Sequence, residues 1–150
     1  MNQTFSITPG GAKPLWFTVL IFILLLVVIV IMALSGYSSQ KTNFQVSSQG
    51  LRIKGDLYGR LIPQSKLIIE SAREINLNQE SQYRPKFRTF GTGLPVYQAG
   101  WFRLKNGDRA LLYLTDYQRV VLIPTTDNYL LLLSIQQPDQ FLATLKQSTN

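Results

Sequence analysis

Leu15 to Leu34 reads LWFTVLIFILLLVVIVIMAL, 20 residues without a charge, a Gly or a Pro, and with Thr18 as its one polar side chain. At about 1.5 Å per residue, a helix of that length spans about 30 Å, the thickness of a bilayer's hydrocarbon core. Backbone N–H and C=O groups find no water in lipid, so such a run crosses only as a helix. Pro14 stands where a missing N–H costs nothing, and Gly36 offers a stop. Trp16 and Tyr37 fall near the two ends, where aromatic residues favour the headgroup level. A cleaved signal peptide would end at Ala33-Leu34-Ser35. The run is longer than the roughly 7–15 residues of a signal core, however, and its basic flank is Lys13 alone. The rest of the chain is small and β-like, so it could not wrap a helix that is apolar on every side. The run therefore predicts a retained membrane anchor, from Leu15 and Trp16 to Leu34, in a single-pass protein of the inner (plasma) membrane.

The side of the membrane is weakly specified. Lys13 precedes the run; Lys41 follows closely, with Arg52 and Lys54 near the limit of the distance that counts. The balance leans toward a cytoplasmic domain. Cys and His are both absent. That removes disulfides, thiolate chemistry, the commonest general base and the commonest transition-metal ligand.

Beyond the run, Ser35 to Ser48 is polar and reads as a tether. The order is a tail over 1–14, a membrane helix over 15–36, a linker over 37–50 and a folded domain over 51–147. From Leu51 the pattern is one of short strands. Leu51, Ile53 and Leu57 alternate with Arg52, Lys54 and Asp56 as a first strand, Tyr58 to Ile62 reads as a second, Gly55 between them marks a bend or bulge, and a turn follows at Pro63 to Lys66. Leu67 to Ile75 reads as a strand, although Glu70, Ala72, Arg73 and Glu74 would also suit a helical turn. Strands then follow over Arg84 to Phe90, Ala99 to Lys105, Arg109 to Thr115, Arg119 to Ile123 and Tyr129 to Ser134. Asn106-Gly107 is a hairpin signal that predicts a type I′ turn, with φ > 0 at both positions. Leu130 to Leu133 is apolar at four successive positions, which suits either a partner surface or a strand covered on both sides. Phe141, Leu142 and Leu145, after Pro138-Asp139-Gln140, share one face of a closing helix. About seven short strands with exposed edges would aggregate as a flat sheet. The expectation is a mainly β fold, a small closed barrel with the helix plugging one end.

The order of short motifs resembles the bacterial pleckstrin-homology-like (PH-like) domains found beside membrane anchors. The resemblance is carried by Leu51-Arg52-Ile53-Lys54-Gly55 with Tyr58-Gly59, by Ile62-Pro63 before Leu67, and by Arg88-Thr89-Phe90-Gly91-Thr92-Gly93-Leu94. It continues through Gly100-Trp101-Phe102, Asn106-Gly107 and Leu112-Tyr113-Leu114-Thr115 to Ser134, Pro138 and Phe141. It implies a seven-stranded barrel capped by a C-terminal helix, and it implies no particular biochemistry. Gly91-Thr92-Gly93 is no dinucleotide fingerprint, because Val96 stands in the third glycine's place and no helix follows. Its glycines are expected to serve turns and close strand approach.

No catalytic constellation emerges. Glu70 and Glu74 lack a base or metal partner, and Ser65-Lys66 are neighbours on a turn that do not face each other. No cofactor, metal, nucleic-acid partner or small-molecule substrate is expected. The net charge is +7. Arg84, Lys86 and Arg88 alternate as residues sharing one face of a strand do, and so do Arg103 and Lys105. Such a face suits anionic lipid headgroups, each cation near the surface being worth about 1 kcal/mol. The same positions serve equally as guards against edge pairing. Trp101, Phe102, Tyr113 and Tyr129 are expected to fill the barrel and its mouth. The chain reads as a membrane-anchored module that binds a lipid or protein partner. The alternative is an accessory subunit of a membrane transport or envelope-stress complex, associating through Leu15–Leu34.

Overall fold

The computed structural model describes residues 13–55, 59–95 and 97–148. The chain divides into two units after Leu34. Helix α1 spans Lys13–Lys41 and holds the one stretch among the described residues that is long and apolar enough to cross a membrane, Leu15–Leu34. None of that stretch is buried against protein. The helix runs through Gly36 rather than stopping there. A helical Gly costs only about 1 kcal/mol, too little to end a helix already propagating.

The second unit is mainly β and, among the described residues, has nine strands in two sheets rather than seven in one closed ladder. Strands β1 (Asn43–Ser47), β2 (Gly50–Lys54) and β3 (Leu61–Pro63) form an antiparallel sheet in that order. The other sheet has six strands: β4 (Arg73–Ile75), β5 (Pro85–Leu94), β6 (Tyr97–Leu104), β7 (Arg109–Leu114), β8 (Val120–Pro124) and β9 (Leu130–Ser134). Their spatial order is β4-β8-β9-β7-β6-β5, with β7 and β9 parallel and the other pairs antiparallel. Helix α2 (Pro138–Gln147) closes the chain with Pro at its first turn, and Gln137 supplies no side-chain cap.

The segment read as a linker over 37–50 contains β1. Phe44 and Val46 turn inward, while Asn43, Gln45 and Ser47 face water. A short strand with one wet face needs few apolar residues, so its composition resembles a tether. The expected strand over Leu67 to Ile75 is broken up. Leu67 makes an isolated bridge to Thr125, Ile69–Ser71 is a 3₁₀ turn, and β4 alone is extended. The ends of the first expected hairpin, Leu57 and Tyr58, lie outside the described residues, as do the first twelve residues of the tail.

Two apolar clusters cover the six-stranded sheet. Leu131 and Leu133 of β9 join Leu51, Ile53, Ile62, Phe141 and Leu145, so one cluster unites both sheets with α2. Leu132 faces the other way, among Ile75, Leu77, Phe102 and Leu104. Leu130 to Leu133 is therefore a central strand covered on both faces, which is why alternation vanishes from it. Beyond it, the Ser134 hydroxyl accepts the N–H groups of Thr115 (3.1 Å) and Asp116 (3.2 Å) and donates to the Asp116 carbonyl (2.9 Å), fixing the turn after β7.

The Asn106-Gly107 hairpin forms without a type I′ turn. Only Gly107 has positive φ (93°), and the Gly107 N–H donates to the Leu104 carbonyl at 3.1 Å. This is the alternative tight connection, a turn followed by one left-handed glycine. Asn106 keeps a negative φ because its Oδ1 accepts the Asp108 N–H at 3.1 Å, an Asx turn. Across β5 and β6, Gly91 and Gly100 face one another at φ 126° and 113°. A Cβ on Gly100 would collide with the Phe90 carbonyl and lie 2.7 Å from the Gly91 Cα. These glycines allow the close strand approach.

Gly100→Ala combines a forbidden φ with a backbone clash, whereas Gly107→Ala, with open space around the added methyl, carries only the φ penalty. In denaturant titration of the detergent-solubilised chain, G107A should cost about 1 kcal/mol and G100A about 3 kcal/mol or more. Equal costs would mean that the β5–β6 approach is not tight.

Candidate functional site

The five basic residues chosen from the sequence do not share one face. Arg84 precedes β5 and is tied down, its Nε donating to the Leu77 carbonyl and its guanidinium to Asn78 Oδ1, both at 2.6 Å. In β5 the register slips between Pro85 and Phe87 and again between Arg88 and Phe90, so the strand bulges at Lys86 and Thr89. Simple alternation is lost. Arg88 pairs with Phe102, and its side chain lies over Gly93. Arg103 pairs with Phe87, which puts it on the opposite face from Arg88. Lys105 is exposed in the hairpin turn.

The structure brings a different set of cations together. Arg60 lies just ahead of β3, Arg109 opens β7, and Trp101 stands in β6. The Arg60 and Arg109 guanidinium carbons sit 5.2 and 5.1 Å from the Trp101 ring centroid. The two cations thus lie within about one Debye length of each other. Tyr129, from the β8–β9 turn, meets the same indole edge-on, with ring centroids 5.0 Å apart and planes at 73°. These residues line a cleft of about 340 Å³ that Leu61 and Pro63 wall on the apolar side.

The electrostatics of the cleft are lopsided. Lys66 and Asp127 at its rim form an ion pair at 2.7 Å and offset each other. The Asp127 carboxylate holds Lys66 above the usual lysine value. Among the described residues, Arg60 and Arg109 enter no ion pair. Arg109 is also the direct cross-strand partner of Arg103, and like charges placed so repel. Burial pushes the Tyr129 phenol up, so at neutral pH it is a protonated donor. Two guanidiniums beside one indole ring, with a hydroxyl donor on the same cleft, present donor groups of the kind that suit an oxyanion.

A second hollow, of about 740 Å³, is bounded by β1, the end of β7 and α2. Phe44, Tyr97, Tyr113 and Phe141 line it together with hydroxyl and amide side chains, and no charged side chain among the described residues does.

Acidic side chains serve surface pairing. Glu80 takes both guanidinium nitrogens of Arg73 (2.9 and 2.7 Å), which lowers its carboxyl below the usual range. Glu74, expected on a solvated face, pairs with Arg119 at 2.9 Å, and Arg119 also reaches Asp139 at 3.3 Å. No group of three or more His, Cys, Asp or Glu that could hold a metal occurs among the described residues. Phe102 and Tyr113 fill the core as expected, whereas Trp101 and Tyr129 are half-buried at the cleft. One signal for the cleft was legible. The hairpin at Asn106-Gly107 sets Arg103 across from Arg109, two like charges in register, with the Arg103 guanidinium donating to the Gly107 carbonyl at 2.8 Å. The approach of Arg60 and Tyr129 depends on non-local folding and left no local trace.

A family model described as a bacterial PH domain matches residues 42–149. The chain belongs to that family, whose match begins at the end of α1 and takes in β1. PH domains are generally non-catalytic binding modules. No match was found among curated proteins or among solved structures.

The two arginine environments predict opposite responses. Arg84→Gln leaves the Leu77 carbonyl without its donor and should lower stability by about 1–3 kcal/mol. Arg109→Gln removes one of two facing like charges and should leave the thermal midpoint unchanged or raised at low salt. A large loss of stability in R109Q would make that arginine a structural residue.

Proposed function

We propose that this bacterial PH-domain chain is a single-pass protein of the plasma membrane whose domain binds, and does not transform, an anionic partner at the membrane surface. The favoured partner is an anionic lipid headgroup, because a domain tethered by Leu15–Leu34 has bilayer at high local concentration. An acidic protein segment is the second choice. Lys41, Arg52 and Lys54, which follow the anchor, favour the cytoplasmic side for the domain. The observation that carries the reading is the pair of guanidiniums beside Trp101, neither in an ion pair among the described residues. Lys86, Arg88, Arg103 and Lys105, all exposed, would add long-range attraction without forming the receptor itself.

The test uses the full chain carrying Trp16→Phe in a neutral detergent, so that Trp101 alone reports. Glycerol phosphate, a soluble headgroup analogue, is titrated at constant ionic strength. The expected result is a saturable change in Trp101 emission. R60Q or R109Q should weaken it about tenfold or more, the value of one charge-assisted hydrogen bond. K54Q removes the same charge from an exposed position on β2 and should leave it within about twofold, the modest worth of a remote surface charge. Equal losses in all three variants, or no saturation, would reduce the effect to bulk charge and defeat the proposal.

A further inference from the structure

Phe87 and Phe90 are three residues apart on β5, and on a regular strand they would point to opposite faces. The bulge at Thr89 changes that. Phe87 pairs with Arg103 and Phe90 with Trp101, so both rings lie on one face. The Thr89 hydroxyl fixes the bulge by donating to the Trp101 carbonyl at 3.0 Å. The rings are 54% and 65% exposed, the two most exposed large apolar side chains among the described residues outside α1. β5 is also an end strand of its sheet. Natural edges are usually guarded by charge, and two aromatic rings held outward there run against that rule. The flanking positions are cationic: Lys86 in the first bulge and Arg103 across from Phe87, both exposed, while Arg88 lies on the other face of the strand.

We propose that Phe87 and Phe90 form a wedge that enters the headgroup layer of an anionic bilayer, with Lys86 and Arg103 meeting phosphates beside it. The commitment to a bilayer follows from charge and chemistry. Aromatic rings bracketed by cations match an interface that is apolar below and negative above. A soluble acidic partner would satisfy the cations and leave the rings wet. A second copy of this face would bring cation against cation. Phe90 is the cross-strand partner of Trp101, so the wedge adjoins the arginine cleft, and a headgroup beside the inserted rings would be within that cleft's neighbourhood. The proposal deepens the membrane-surface reading and rests on the retention of Leu15–Leu34.

The chain has no cysteine, so single-cysteine labelling is clean. F87C, F90C and, as a wet reference on β2, K54C are each spin-labelled in the full chain. They are reconstituted in nanodiscs of phosphatidylcholine doped with phosphatidylglycerol. Relaxation by molecular oxygen and by a neutral nickel chelate then reads the surroundings. The expected result is oxygen access above, and nickel access severalfold below, the K54C reference at both phenylalanine positions, with the contrast fading in pure phosphatidylcholine. Nickel access equal to the reference overturns the wedge. Low access to both reagents means protein contact, a second copy or another chain, and also overturns it. Liposome flotation of the labelled chain separates the two readings. A chain that floats but keeps wet labels refutes the wedge alone, whereas a chain that does not float refutes the anchor and the wedge with it. Both rings are exposed, so the substitutions leave the core intact, and an unchanged thermal midpoint checks this.

Discussion

An unpaired backbone amide or carbonyl away from water is too costly to leave, and this chain meets that constraint in two ways. Over Leu15–Leu34 no other chain segment covers the backbone, and every partner is supplied within the helix itself. In the second unit the partners come from neighbouring strands, and β9 shows how far this goes. It is paired on both edges, with β7 and β8, and covered on both faces by apolar side chains. Sheets of this kind leave ends, and here they are β1, β3, β4 and β5. The features with the most functional promise lie along or beside those ends.

The region around Trp101 illustrates the connection. Gly91 and Gly100 let β5 and β6 run unusually close, and the bulge at Thr89 then turns Phe90 onto the Trp101 face. From β7 the hairpin delivers Arg109, and the sheet across the core delivers Arg60. Each placement is locally unfavourable or unguarded: positive φ at the glycines, like charges across β6 and β7, exposed rings on an edge. Conflicts of this kind between local preference and overall fold gather where a protein does something besides fold. The proposed binding at a charged interface would account for all of them together.

Legibility in the sequence followed the range of the interactions. The long apolar helix, the hairpin at Asn106-Gly107 and the closing helix with Phe141 and Leu145 inside were readable, because each is set by neighbours in the chain. The mainly β class and the family likeness were readable from the order of the motifs. β1 was missed because Asn43, Gln45 and Ser47 make a solvated strand face look like a tether. The basic face was misplaced for a subtler reason. A spacing of two residues shares a face only on a regular strand, and the bulges at Lys86 and Thr89 cannot be inferred without the partner strand. Arg84 looked like a member of that face, yet it serves the backbone at Leu77. Arg60 carried no signal at all, since its relation to Trp101 exists only after two sheets meet over a common core.

The central claim is that the apolar helix stays on the chain and holds the PH domain at a bilayer. Its most direct test is the intact mass of the mature polypeptide recovered from membranes washed in alkaline carbonate. The account predicts a chain that remains in the washed pellet with a mass that includes Leu15–Leu34, close to the full 17.0 kDa. Release into the wash, or a mass matching a chain cut near Ala33 to Ser35, would contradict it.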